Sequence, residues 1–135
     1  KGLAQFILRF NDEELNLVVF QRLGNAQISI DLIQVNPGLI AFTVLESAAE
    51  KARNVLGDLP MEVEVRSGFA KVSAVGGGMR GVPGVMARVV AALNRVGVRI
   101  HQTADSHTNI SCLVEESDAE KAVRALHDEF NARAK

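Results

Sequence analysis

Apolar positions along the chain follow two rhythms, and the rhythms appear in the same order twice. In "AQFILRF", Ala4, Phe6, Leu8 and Phe10 recur at every second residue, the period of a strand with one buried face. Leu15, Val18, Val19 and Leu23 then form one helical stripe, which Gly24 is expected to end. "QISIDLIQV" and "GLIAFTVL" read as strands, the second with Ile40, Phe42 and Val44 on one face. The turn formers "NPG" between them, Asn36 to Gly38, predict an antiparallel hairpin. "SAAEKARNVL" follows and opens with S-x-x-E from Ser47. That is a capping box, in which Ser caps the third helical N–H and Glu reaches back. "MEVEV", Met61 to Val65, adds a strand.

The second half repeats the scheme. "AKVSAV" alternates through Ala70, Val72 and Ala74, and Val85, Met86, Val89, Val90, Leu93 and Val96 form a helical stripe ended by Gly97. "VRIHQTA", the turn "DSHT" (Asp105 to Thr108) and "TNISCLVE" predict a second hairpin, with Ile110, Cys112 and Val114 on one face. "SDAEKAVRAL", from Ser117, matches the capping-box helix of the first half. Each half therefore reads β-α-β-β-α, and the first half adds a closing strand. Two β-α-β halves meeting at a hairpin make a ferredoxin-like split unit. The predicted class is α+β: two tandem βαββαβ units, residues 1–67 and 68–135, with antiparallel sheets and helices on one face. The fourth strand of the second unit is not found in its own span. Units this small bury little surface alone, so they are expected to pair.

Composition narrows the function. The chain has 135 residues, 47% of them apolar, and no Tyr or Trp, so its core is aliphatic with six Phe. Its net charge is −1, with 15 basic and 16 acidic side chains intermixed. No basic excess marks a nucleic-acid partner. No apolar run reaches the roughly 18 residues of a membrane span, and the sequence shows no signal-peptide pattern. The single Cys112 sits in a strand-like run as a small core residue, and a reducing cytoplasm is the expected compartment. A chain beginning at Lys1 is expected to belong to a longer protein.

The stretch "VGGGMRGVPG", Val75 to Gly84, raises a different possibility. Gly76, Gly78 and Gly81 satisfy G-x-G-x-x-G between a strand and a helix, and Asp105 lies at about the distance of a ribose-binding acid. A dinucleotide fold, however, needs a crossover helix after its second strand. A short turn stands there instead, and too little chain remains for a doubly wound sheet. A Walker loop also fails, because no Lys-Ser/Thr follows the glycines. What remains is a glycine loop feeding a helix start. Pro83 suits a first helical turn, and the N–H groups of Gly84, Val85 and Met86 are placed for a carboxylate. The opposing reading is a tight turn that binds nothing.

"KVSAVGGGMRGVPGVMARVVAALNRVGVRIHQTADSHTNISCLV" with "AVRALHDEF" closely resembles the tandem ACT-domain regulatory region of aspartate kinases. The pattern runs from Lys71 to Phe130, and "ISIDLIQVNPGLIAFTV" extends it more loosely through the first half. The resemblance implies a regulatory region that binds an end-product amino acid (lysine, threonine or meso-diaminopimelate) where ACT units pair across a homodimer. The aspartate-phosphorylating domain, with its ATP and magnesium, would lie N-terminal to it. No kinase activity and no cofactor are therefore expected of these residues alone. A stand-alone regulatory subunit is the alternative. Carried over by motif, the effector site comprises Met79, Arg80, Gly81, Val82, Pro83, Gly84 and Val85 of the second-unit loop. It adds Arg99, Ile100, Thr103 and Asp105 of the second-unit strand, and Asp31, Gln34 and Asn36 of the first.

The first unit departs from the pattern. It carries "FNDEELN" where relatives have P-x-x-P-G, with Asn11 expected as N-cap and Asp12, Glu13 and Glu14 in the first helical turn. These acids would repel a carboxylate. Arg99 could pair with a second ligand carboxylate or be solvated, and Arg80 could sense the ligand or lie on the surface. His101 and His107 flank the second hairpin with Asp105 between them, but the three do not fall at the spacing of a metal site. His127 is expected on a helix rim.

Overall fold

The computed structural model describes residues 2–75, 83–105 and 109–131. The chain divides into two compact units, Lys1–Gly68 and Phe69–Lys135. Unit 1 holds β1 (Leu3–Arg9), α1 (Leu15–Asn25), β2 (Asp31–Asn36), β3 (Leu39–Leu45) and α2 (Ala49–Leu56). Strand β4 (Glu62–Val75) supplies its last strand. Unit 2 takes the C-terminal part of β4, then α3 (Val85–Arg95), β5 (Gln102–Asp105), β6 (Asn109–Glu115) and α4 (Ala119–Asn131). The sheet order is β2-β3-β1-β4 in unit 1 and β4-β6-β5 in unit 2. This α+β arrangement is the ferredoxin-like one that the repeated pattern predicts. "MEVEV" and "AKVSAV" differ from expectation, because both belong to the single strand β4.

The faces follow the predicted alternation. β1 runs antiparallel to β3 from Leu3↔Leu45 to Arg9↔Leu39, which sets Phe6 opposite Phe42. Ala4, Phe6, Leu8, Ile40, Phe42 and Val44 are buried and meet Leu15, Val19 and Leu23 of α1 and Ala52 and Leu56 of α2. In unit 2, β4 pairs with β6 from Phe69↔Glu115 to Val75↔Asn109. Val72, Ala74, Ile110, Cys112 and Val114 pack there against Val85, Val89, Ala92 and Leu93 of α3 and Ala122 and Leu126 of α4. Cys112 is fully buried, and burial raises its thiol pKa to about 11, so it is an inert core residue.

Ion pairs tie the helices together within each unit. Arg22 of α1 donates to the Val55 carbonyl at 3.0 Å and pairs with Asp58, holding that carboxyl below the usual range. Arg88 of α3 reaches Glu129 of α4 at 2.9 Å and lies over the Phe130 ring, and Arg95 meets the same carboxylate at 3.1 Å. Arg88 first, then Arg95, holds the Glu129 carboxyl low.

The helix ends correct several expectations. Ser47 and Ser117 lie inside short 3-10 turns, Glu46–Ala48 and Glu116–Asp118. α2 begins after Ala48 with no side-chain cap, so the capping box does not form there. α1 continues through Gly24 to Asn25, and the residue that reverses the chain is Gln27, at φ 59. Gln27 N–H donates to Gly24 and Ile28 N–H to Leu23, a Schellman closure. α3 ends with the same pair of bonds, Gly97 to Asn94 and Val98 to Leu93, but there the left-handed residue is Gly97, at φ 76. A left-handed conformation strains any residue with a Cβ. Gln27→Gly is therefore expected to stabilise the protein by about 0.5–1 kcal/mol, after the entropy cost of glycine. Urea unfolding measures this, and an unchanged or lower midpoint would remove the strain argument.

Candidate functional site

The two strand-to-helix connections correspond in position but differ in length and sequence. In unit 1 it spans residues 10–14 and in unit 2 residues 76–84. Asn11 is not the N-cap of α1, and the three acids precede the helix instead of filling its first turn. Asp12 Oδ1 accepts from Glu14 N–H at 3.0 Å, the Asp12 carbonyl from Leu15 N–H at 3.0 Å, and the Glu13 carbonyl from Asn16 N–H at 3.1 Å. The donors that would greet an anion at this helix start are thus already engaged by the chain itself.

Unit 2 is built differently. Met79, Arg80, Gly81 and Val82 lie outside the described residues. Gly84, at φ 83, is the N-cap of α3 and makes no side-chain cap bond. Pro83 precedes this cap and so does not stand in the first helical turn. Val85 is the first residue of α3 and turns its side chain into the core. Among the described residues, a Cβ built on Gly84 meets nothing within 4 Å. The first-turn N–H groups have no acceptor inside the helix, and the N-terminal dipole favours an anion there.

The strand residues fall into two groups. Arg99 and Ile100 precede β5, which begins only at Gln102, so they are not strand residues as the pattern predicts. Thr103 and Asp105 are in β5, Asp105 exposed at its end. Arg99 is exposed. Asp31, Gln34 and Asn36 all lie in β2 with their side chains exposed. β2 itself starts later than "QISIDLIQV" suggests, and its register shifts between Asp31 and Gln34. Leu32 within that irregularity is 3% exposed and has φ 51, an uncommon conformation for a leucine. Asp31 Oδ1 accepts the Leu32 N–H at 2.8 Å, and Thr43 Oγ1 donates to the Asp31 carbonyl at 3.2 Å. No sequence signal marks Leu32, because leucine disfavours this conformation.

Sequence reasoning also misses an open cleft of about 620 Å³ at the end of the unit 1 sheet. Arg9, Phe10, Gly38, Met61 and Glu62 are among its lining residues. Gly38, at φ 74, is needed there, since a Cβ would stand 2.8 Å from the Phe10 carbonyl. Arg9 pairs with Glu64 at 3.2 Å, and Arg66 grips the same carboxylate at 2.6 Å. Arg9 and then Arg66 keep the Glu64 carboxyl below the usual range. Among the described residues, no group of three His, Cys, Asp or Glu could hold a metal ion, and His101 instead packs on Phe69 at 4.7 Å between ring centres. His127 is exposed on α4, and His107 lies outside the described residues. No helix among the described residues is long and apolar enough to cross a membrane.

The sequence model of the ACT domain family, ACT_9, matches residues 72–130. Aspartokinase 1 of Bacillus subtilis (strain 168) is 45% identical over 132 residues, covering 96% of this chain and 33% of that protein. The chain thus spans about a third of the length of such curated relatives. The ligand-free regulatory subunit of aspartate kinase from Thermus thermophilus superposes with a TM-score of 0.84 at 32% identity, covering 96% of this chain and 92% of that one. E. coli aspartokinase III, solved with lysine and aspartate in its T-state, gives a TM-score of 0.73 at 25% identity, covering 96% of this chain and 31% of that one. With its two ferredoxin-like units and near full-length match to an isolated regulatory subunit, the chain belongs to the ACT-domain regulatory regions of aspartate kinases.

Proposed function

We propose that this chain is the effector-binding region of an aspartate kinase, through which an end-product amino acid inhibits the enzyme. The catalytic domain, with its ATP and magnesium, belongs to the rest of the parent protein, and the working compartment is the cytoplasm. The region works as a homodimer through its ACT units. The carboxylate of the effector rests on the N–H groups at the start of α3, near Gly84 and Val85, beside the loop residues Met79 to Val82. Arg99, Ile100, Thr103 and Asp105, with Asp31, Gln34 and Asn36, supply the ammonium and side-chain contacts.

One observation carries the choice of loop. The helix start of unit 1 spends its donors on Asp12 and Glu13, whereas the glycine cap of α3 has no side chain to offer. The relative solved with lysine supports an amino acid as the ligand class. Lysine, threonine and meso-diaminopimelate all fit a site built around one α-carboxylate and one ammonium, and Arg99 would favour the ligand with a second carboxylate.

Titration calorimetry of this region against the three amino acids is the test. Saturable binding of one of them, with the dimer present in light scattering, is the expected result. Absence of heat for all three at millimolar ligand would overturn the reading.

A further inference from the structure

Glu46 stands where β3 ends, in the turn before α2. Its backbone N–H donates to the Gly2 carbonyl at 3.1 Å, which extends the β1–β3 ladder by one step. Its side chain turns back over the same residue. A Cβ built on Gly2 would stand 2.6 Å from Glu46 Oε1 and 2.9 Å from its Cδ, so the carboxylate occupies the space that a side chain at position 2 would take. The other oxygen, Oε2, accepts the Gly68 N–H at 2.6 Å. Gly68 is the last residue of unit 1 and adopts φ 87, the left-handed region, within the run of β4. One carboxylate therefore lies against the point where the chain enters unit 1 and holds the point where it leaves.

We propose that Glu46 is a positioning residue that couples the path of the chain at Gly2 to the conformation at the unit boundary. A charge-assisted bond to a backbone N–H is stronger than a neutral one, so the carboxylate biases Gly68 toward the left-handed turn that glycine can adopt. Displacement of the segment at Gly2 moves that carboxylate, and Gly68 loses its partner. A conformational change upstream of Leu3 thereby reaches the boundary between the units through a single side chain. This holds whether or not an effector binds, so it stands apart from the site proposed on α3.

Amide hydrogen exchange on the whole chain tests it, with Val19 of α1 as the control for global opening. Glu46→Ala is expected to speed exchange at Gly68 by about tenfold or more, leaving Val19 unchanged. Glu46→Gln, whose amide oxygen can still accept, retains most of the protection. The decisive variant is Gly2→Ala. Residue 2 makes no bond to Gly68, yet its new Cβ must displace the Glu46 carboxylate from its present position, so Gly68 should again exchange faster. Combining Gly2→Ala with Glu46→Ala should add nothing beyond Glu46→Ala alone. Unchanged Gly68 exchange in Gly2→Ala, additive effects in the double variant, or a glutamine no better than alanine would each overturn the coupling.

Discussion

Phe42→Ala is expected to cost about 3–5 kcal/mol of folding free energy, the usual range for a buried phenylalanine reduced to alanine. Phe42 and Phe6 are both fully buried, and their rings stack with centroids 5.3 Å apart and planes 11° from parallel. The pair stands at the middle of the β1–β3 register, under α1 and α2. Removing one ring deprives the other of its stacking partner and opens a void that surrounding backbone cannot easily fill. The strands on either side are locked by their ladders, so collapse is limited and the cavity penalty remains. A domain of ordinary stability has about 5–15 kcal/mol in total, so the variant should be partly unfolded at moderate urea. Phe42→Leu, which keeps most of the volume, should cost much less. A loss below about 1 kcal/mol for Phe42→Ala would show that the stacked pair does not organise this core.

Gly84→Asp is expected to remove effector binding, a loss of about two orders of magnitude or more if the ligand carboxylate forfeits its charged hydrogen bonds. Among the described residues a Cβ on Gly84 meets nothing within 4 Å, so the aspartate is introduced for its charge and its capping oxygen. Its carboxylate can then cap the first-turn N–H groups itself and repel a second anion. Gly84→Ala imposes the same left-handed strain without the charge, and it should therefore bind more tightly than Gly84→Asp. Glu13→Ala should bind like the unmodified chain, because the unit 1 helix start has no free donor to offer. Calorimetry reads all three, with urea unfolding to verify that each variant is folded. A destructive Glu13→Ala together with a silent Gly84→Asp would move the site to unit 1.

Period, with the turn formers and the internal repeat, was sufficient for the element order, though not for the fusion of two predicted strands into β4. Alternation through Ala4, Phe6 and Leu8, and again through Ile110, Cys112 and Val114, names the buried face of a strand, because successive side chains point to opposite sides of a sheet. The stripe Val85, Val89 and Leu93 does the same for a helix. Gly97 as the reversing residue after α3 was equally legible, since only glycine takes that conformation without strain. These features are local, and a few consecutive residues carry the information for each.

Features that depend on distant partners were not legible. Nothing in the residue type of Gln27 announces that it turns left-handed to close α1. Asn11 and the acids after it are a separate, local case: they look like a helix start, but the helix begins at Leu15, and turns only two or three residues long, which period does not reveal, already engage Glu14, Leu15 and Asn16 N–H. Leu32 is held in an unfavourable conformation while its side chain is buried. Gly68 and Glu46 are distant in the chain, as are Phe10 and Gly38, and their contacts exist only after the strands have paired. Hydrophobic period sets which face each element buries. Which backbone groups find partners far along the chain, as Gly68 does on Glu46 and Phe10 on Gly38, is set by strand pairing that only the folded chain provides.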